Sequence, residues 1–279
     1  MSRVDHTLEK DRRAVIPVAD EMAPNTLTII LPALNEADAI GLQIQALLAH
    51  PAWRALPLAE IVVVDNGSDD ATAAVAQAAG AHVISEPRRG YGAACYAGLR
   101  AARSDVLLLM DADGSDDLAG AARVARLVLS GEADLAVGSR VRGCCEAGAL
   151  TLQQRVGNTV AALLLRLLCG VCVTDLGPTR AIRREALLTL DPHERTYGWS
   201  TETLVKAARA GYRIVEEPVD YHRRAGGVSK VSGTFRGSLR AGYCILTTVL
   251  RYARWRPAAT PPIHRGQQPT MAGEKVVHS

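Results

Sequence analysis

Five stretches of the chain are apolar almost without interruption, and each ends abruptly in polar, turn-forming residues: "TLTIILPALNE" (26–36), "EIVVVDNGSDD" (60–70), "AHVISE" (81–86), "DVLLLMDADGS" (105–115) and "ADLAVGSR" (133–140). Runs of this length without alternation predict strands buried on both faces. Between them lie segments with helical spacing of apolar residues: "AIGLQIQALLAH", "ATAAVAQAAG", "AACYAGLRAARS" and "DLAGAARVARLVLS". Strand runs alternating with amphipathic helices predict an α/β domain built on a mainly parallel sheet, Rossmann-like in its layering. In such open sheets ligands bind beyond the carboxyl ends of the strands. The polar clusters "LPALNE", "DNGSDD", "DADGS" and "GSR" all lie at such ends, so they are expected to converge on one crevice.

Past Arg140 the spacing becomes helical over "QQRVGNTVAALLLRLLCG", "TDLGPTRAIRREALLTL" and "GWSTETLVKAARAGY", with a strand expected at "RIVEEPVDYHRR". The segment 238–256 reads as an amphipathic helix with basic ends. Residues 1–25 read as a disordered leader and 257–279 as a disordered, Pro-rich tail, leaving 26–237 as the main domain. No internal repeat is visible.

Composition narrows the partners. Of 279 residues about half are apolar, and a net charge of +3 is too small to argue for nucleic acid. The charge is unevenly placed, with the acidic motifs in the first half and Arg223, Arg224 and Lys230 clustered in "YHRRAGGVSK". Six cysteines include "CGVC" at Cys169–Cys172, but no second pair or nearby His pair completes a metal site, so inert thiols in a reducing cytoplasm are expected. No apolar stretch reaches the roughly 20 residues of a membrane span. Peripheral contact with the inner membrane face remains compatible with the segment 238–256, as does simple packing on the core.

The candidate chemistry centres on Asp111 and Asp113, two carboxylates at i and i+2 where a strand ends. A hard divalent cation, Mg²⁺ or Mn²⁺, takes one or two carboxylates plus substrate phosphate oxygens and would neutralise a diphosphate. Asp65, at the end of another strand, is expected to join them. Ser68, Asp69 and Asp70 suit the start of the helix from Ala71, and Asp116 and Asp117 suit the N-cap of the next one. The Gly-rich "RGYGAA" lacks a dinucleotide fingerprint and no P-loop is present, which disfavours a dehydrogenase or an ATPase.

Taken in order, "LPALNE", "VVVDNGSDD", "EPRRGYGAA", "LLMDADGS" and "GSR" resemble the family 2 glycosyltransferases of the GT-A fold. "TDLGPTRAIRRE" followed by "RRAGGVSKVSG" resembles their polyprenyl-phosphate hexosyltransferase branch, the dolichol-phosphate mannose synthase type. The resemblance covers roughly residues 26–252. It implies that Pro32, Leu34, Asn35, Glu36, Asp65, Gly67 and Gly90 border the nucleotide, and that Asp111 and Asp113 hold the diphosphate and its metal. It places Arg140, Arg155, Arg224 and Lys230 against donor or acceptor phosphates, with Asp113, Arg140 and Arg224 at the reacting centre. The implied activity is an inverting, metal-dependent transfer of a hexose from a nucleoside-diphosphate sugar to a polyprenyl phosphate.

Arg binds phosphate in bidentate fashion and Lys as a point charge, so "RRAGGVSK" suits an anionic acceptor independently of the resemblance. A phosphate nucleophile is already ionised at neutral pH, whereas a hydroxyl acceptor needs a base. Glu202 and Asp175 are the candidates for that base. Glu202 can equally be a first-turn helix residue and Asp175 an anchor for Arg180. "TDLGPTRA" departs from the "TDPMSGFR" common in the dolichol-type enzymes, and the Q-x-x-R-W motif of processive synthases is absent, which favours a single transfer. A small soluble hydroxyl acceptor, or a non-catalytic nucleotide-sugar binder, are the alternatives.

Overall fold

The computed structural model describes residues 25–224 and 235–257. Seven strands form one sheet: β1 (Leu27–Ala33), β2 (Leu58–Asp65), β3 (His82–Ser85), β4 (Val106–Leu109), β5 (Leu135–Ser139), β6 (Arg180–Arg183) and β7 (Ile214–Pro218). Their order is β3-β2-β1-β4-β6-β5-β7, with β6 antiparallel to both neighbours and every other pairing parallel. The helices are α1 (Ala37–Ala49), α2 (Pro51–Arg54), α3 (Thr72–Ala78), α4 (Tyr91–Ala101), α5 (Leu118–Leu129), α6 (Leu152–Cys169), α7 (Arg184–Leu190), α8 (Trp199–Arg209) and α9 (Phe235–Tyr252).

Side-chain alternation explains the unbroken apolar runs. Ile29, Leu31, Val63 and Leu108 point into one layer, against Ile40 and Ile44 of α1 and Val124 of α5. Their sequence neighbours Ile30, Val62, Val64, Leu107 and Leu109 point into the other, against Leu99 of α4 and Trp199, Leu204 and Val205 of α8. A strand with a helical layer on each side has no solvent face, so polar alternation disappears.

The chain moves outward from β1 through β2 to β3, then returns to place β4 on the other side of β1. Loops leaving neighbouring strands diverge at such a point and open a crevice at their carboxyl ends. The polar ends of β1, β2, β4 and β5 therefore lie on one edge of the sheet, as their sequence positions predict.

Two expectations about elements need correction. Residues 180–183, read as part of a helix, form β6 in the middle of the sheet. Their four residues are too few to show a period, and the strong helical pattern of α7 directly behind them masks the strand. Asp116 is not an N-cap: Asp117 caps α5 by accepting from Ala119 N, while Asp116 accepts from Asp111 N at 2.8 Å. Asp70 does serve the start of α3, accepting from Thr72 N at 2.9 Å. The short α2 went unpredicted. All six cysteines are free thiols. Helix α9 packs against α6 and α8 and buries Thr248 and Val249, and no described helix is long and apolar enough to cross a membrane. The leader, the tail and Lys230 lie outside the described residues, apart from residues 25 and 257.

Candidate active site at the strand ends

Where β4 stops, the backbone of residues 110–116 turns back on itself and is pinned from α1. Gln43 donates to the Asp111 carbonyl at 2.6 Å and accepts from Gly114 N at 3.0 Å, with Gly114 in the left-handed region at φ 77°. Asp113 Oδ1 accepts from Ser115 N at 2.9 Å, which leaves Oδ2 to meet Arg224 Nη1 at 3.1 Å. Arg224 also pairs with Glu36 Oε1 at 2.5 Å, so one guanidinium bridges the ends of β1 and β4.

Among the described residues, the carboxylates Glu36, Asp111, Asp113 and Asp116 outnumber the cations near them, Arg140 and Arg224. Burial, then the charges of Asp116 and Asp113, push the Asp111 carboxyl well above its ordinary range, against the smaller opposing pull of Arg140 and Arg224. Burial likewise pushes Asp116 up to about 6. No hydrogen bond or ion pair with a described residue reaches the Asp111 carboxylate. The Asp111 and Asp113 carboxylates offer hard oxygen donors at one edge of the crevice, so the pair fits a divalent cation. Among the described residues no group of three His, Cys, Asp or Glu side chains is placed to hold an ion. Two carboxylates alone would leave the remaining positions to diphosphate oxygens and water.

Across the crevice, Arg140 follows the end of β5. Its guanidinium makes a bidentate pair with Asp175, at 2.7 and 2.8 Å, and lies 5.0 Å from the centre of the Tyr221 ring. Burial opposes the charge on Arg140, but the Asp175 carboxylate outweighs it and holds its pKa above the usual value. Asp175 is held in turn because Glu216 of β7 accepts from Thr174 N and Asp175 N at 2.6 and 3.0 Å. Asp175 therefore anchors Arg140 and not Arg180, whose buried side chain donates to the carbonyls of Gly177, Pro178 and Ser200.

The crevice is one cavity of about 1080 Å³. Pro32, Leu34, Glu36, Gly90, Asp111, Asp113, Arg140 and Arg224 line it, and α6 and α9 supply a less polar wall that includes Val160, Tyr243, Ile245 and Leu246. Asn35, Asp65 and Gly67 are not in the lining; they shape the turns behind it. Asn35 (φ 52°) donates its backbone N–H to Ser68 Oγ and accepts from Asp69 N, Asp65 accepts from Ser68 N, and Gly67 (φ 78°) accepts from Arg89. The residue at the end of β2 that does reach the cavity is Asn66, which sequence reasoning missed. It donates to the carbonyls of Glu86 and Arg88 and accepts from Gly90 N at 2.7 Å, fixing the 86–90 loop. Its neighbourhood in "DNGS" was the available signal, but an Asn in a turn motif reads as turn chemistry.

Arg155 is exposed on α6 and does not border the cavity. Glu202 was a candidate base; the structure buries it completely, outside the lining. Its carboxylate accepts from His193 N and Glu194 N and pairs with Lys206 at 2.7 Å. A first-turn position in α8 is the expectation its contacts match.

The family model for glycosyl transferase family 2 matches residues 28–190. An uncharacterised glycosyltransferase of Mycobacterium tuberculosis is 42% identical over 222 residues, 79% of this chain and 96% of that protein. A dolichyl-phosphate hexose transferase of Haloferax volcanii is 35% identical over 203 residues, 72% of this chain and 84% of that one. In fold, the chain is similar to glucosyl-3-phosphoglycerate synthase from M. tuberculosis, solved with Mn²⁺, uridine-diphosphate-glucose and phosphoglyceric acid. The TM-score is 0.65 at 24% identity, covering 82% of this chain and 79% of that one. The matched span runs from β1 through α7 and contains the acidic end of β4, and the chain belongs to glycosyl transferase family 2: it is a glycosyltransferase of the GT-A fold.

Proposed function

We propose that this enzyme moves a hexose, with inversion and with the help of a divalent metal, from a nucleoside-diphosphate sugar to a polyprenyl phosphate. The observation that carries the reading is the meeting of Asp111 and Asp113 with Arg140 and Arg224 around one crevice whose far wall is formed by α6 and α9. Asp111 and Asp113 would hold Mg²⁺ or Mn²⁺, which supplies charge neutralisation for the departing diphosphate. The glucosyl-3-phosphoglycerate synthase of similar fold was solved with Mn²⁺ and UDP-glucose, which supports such a pairing. Pro32, Leu34, Glu36 and Gly90 border the space for the nucleotide, and Asn35, Asp65 and Gly67 hold those loops in place.

An ionised acceptor phosphate oxygen attacks the anomeric carbon while the bond to the donor diphosphate breaks, its electron pair leaving with the nucleoside diphosphate. No proton has to be removed. Arg140, already oriented by Asp175, and Arg224, with Lys230 downstream of it, are the cations offered to the phosphates. Both candidate bases are committed elsewhere, Glu202 to a buried loop and Asp175 to Arg140, which favours a phosphate over a hydroxyl acceptor. The name of the Haloferax relative, a dolichyl-phosphate hexose transferase, supports the same acceptor class.

Purified enzyme is to be given a panel of labelled nucleotide sugars with a short-chain polyprenyl phosphate or with 3-phosphoglycerate. Lipid-linked hexose of inverted configuration is expected, lost with chelator and reduced at least about a hundredfold in Asp113→Ala. Label appearing on glycerate alone would replace the acceptor assignment, and transfer by Asp113→Ala at the wild-type rate in chelator would end the metal role.

A further inference from the structure

Helix α6 has two apolar faces. Ala161, Ala162 and Leu165 are buried against the domain. On the other side Leu152, Val156, Val160, Leu163 and Leu167 are 43–74% exposed. At 3.6 residues per turn these five fall within an arc of about 80°, forming a stripe roughly 22 Å long. A helix at a water-facing surface normally carries polar residues there.

The charges on α6 itself have one sign. Exposed Arg155 and Arg166 run along one edge of the stripe, and no Asp or Glu occurs anywhere in α6. Helix α9 packs alongside α6, and its sequence, with the four residues after it, also lacks acidic residues while carrying five arginines. Tyr243 of α9 is 71% exposed, an amphipathic ring suited to a polar–apolar boundary. No described helix can span a bilayer, so a lipid-facing helix here would lie in the interface plane. A second copy paired face to face would bring arginines together with no carboxylate on either α6 to meet them. A layer of anionic headgroups supplies that countercharge.

We propose that the exposed face of α6 docks the enzyme, parallel to the surface, on an anionic lipid bilayer. Val160 belongs both to the stripe and to the cavity lining, together with Gln153 and Gly157. Docking would therefore open the crevice at headgroup depth. The proposal deepens the polyprenyl-phosphate reading but is separable from it, because vesicle binding is read without donor, metal or acceptor.

The test is cosedimentation of the full chain with phosphatidylcholine vesicles, pure or containing about one third phosphatidylglycerol. Binding to the anionic vesicles is expected, falling several-fold on pure phosphatidylcholine or in about 0.5 M salt. Leu163→Glu with Leu167→Glu, both outside the cavity lining, should cut the bound fraction about tenfold. The unfolding midpoint and transfer to a detergent-dispersed short acceptor should remain as in the wild type. Leu42→Glu, equally exposed but on α1, is the control and should bind normally. Wild-type protein left in the supernatant with anionic vesicles, or the double variant pelleting like the wild type, overturns the proposal. So does a dimer that dissociates in the double variant without any vesicle binding, which would give the face to a second copy.

Discussion

Burial holds the Asp116 carboxyl at about 6, well above an unfolded-state value near 3.8, so the folded protein binds this proton more tightly than the unfolded chain does. Stability is therefore lost through Asp116 as pH rises from about 4 to 6, and the deficit persists at neutral pH. Asp116→Asn keeps an oxygen for Asp111 N and removes the charge. It should stabilise the metal-free protein by about 1–3 kcal/mol at pH 7 and by almost nothing at pH 4, read by urea unfolding at both. Asp175 is the opposite case. Asp175→Ala strands the Arg140 guanidinium and should cost about 3–5 kcal/mol, with transfer falling alongside. Asp111 and Asp113 could be found in the sequence because a pair of carboxylates behind a buried strand is locally conspicuous. The Arg140 partner could not, since Asp175 is 35 residues away and the pairing exists only once β5 and the 174–178 loop are packed together.

At the level of elements, the junction between α4 and α8 shows why a sequence motif can mislead. Glu202 stands in the first turn of α8, yet its carboxylate reaches back to tie down residues 193 and 194 while Lys206, one turn on, neutralises it. The Lys206 ammonium lies about 5 Å from the Tyr252 and Trp255 rings, which fastens the end of α9 to α8. Glu202→Gln should lower stability by at least about 2 kcal/mol while leaving the pH profile of kcat unchanged; a shifted profile would restore it as a base. On the α4 side, a Cβ on Gly92 would sit 2.6 Å from the Glu194 carbonyl oxygen and 2.8 Å from Trp199 Cβ. Gly92→Ala should therefore cost about 1–3 kcal/mol by thermal unfolding. The strands β1, β2, β4 and β5 were legible because burial on both faces leaves an unmistakable apolar run, whereas β3, a four-residue edge strand with no buried side chain, was marked only by its position between two helices. Strand β6 was not, because its place between β4 and β5 is dictated by pairing partners far away in the chain and not by any pattern of its own.

For the whole molecule, the excess of carboxylate at the crevice makes ligand binding and pH inseparable. If Asp111 and Asp113 hold the ion as proposed, protons compete with it for the same oxygens, so Mn²⁺ with a nucleoside diphosphate should raise the unfolding midpoint more at pH 7.5 than at pH 5.5. An equal rise at both would place the ion away from Asp111. The convergence of loops was visible in the sequence as repeated polar strand ends; the contribution of α6 and α9 to the far wall was not, since nothing local says which helices will meet. The reversed strand β6 also sets a timetable. Strands β3, β2, β1 and β4 can join as soon as residue 109 is made, but β5 has no edge to bind until residues 180–183 arrive from beyond α6. During synthesis the first half of the sheet must therefore wait with an uncovered flank along β4, and a chain halted before residue 180 should be seized by proteases or chaperones at that edge.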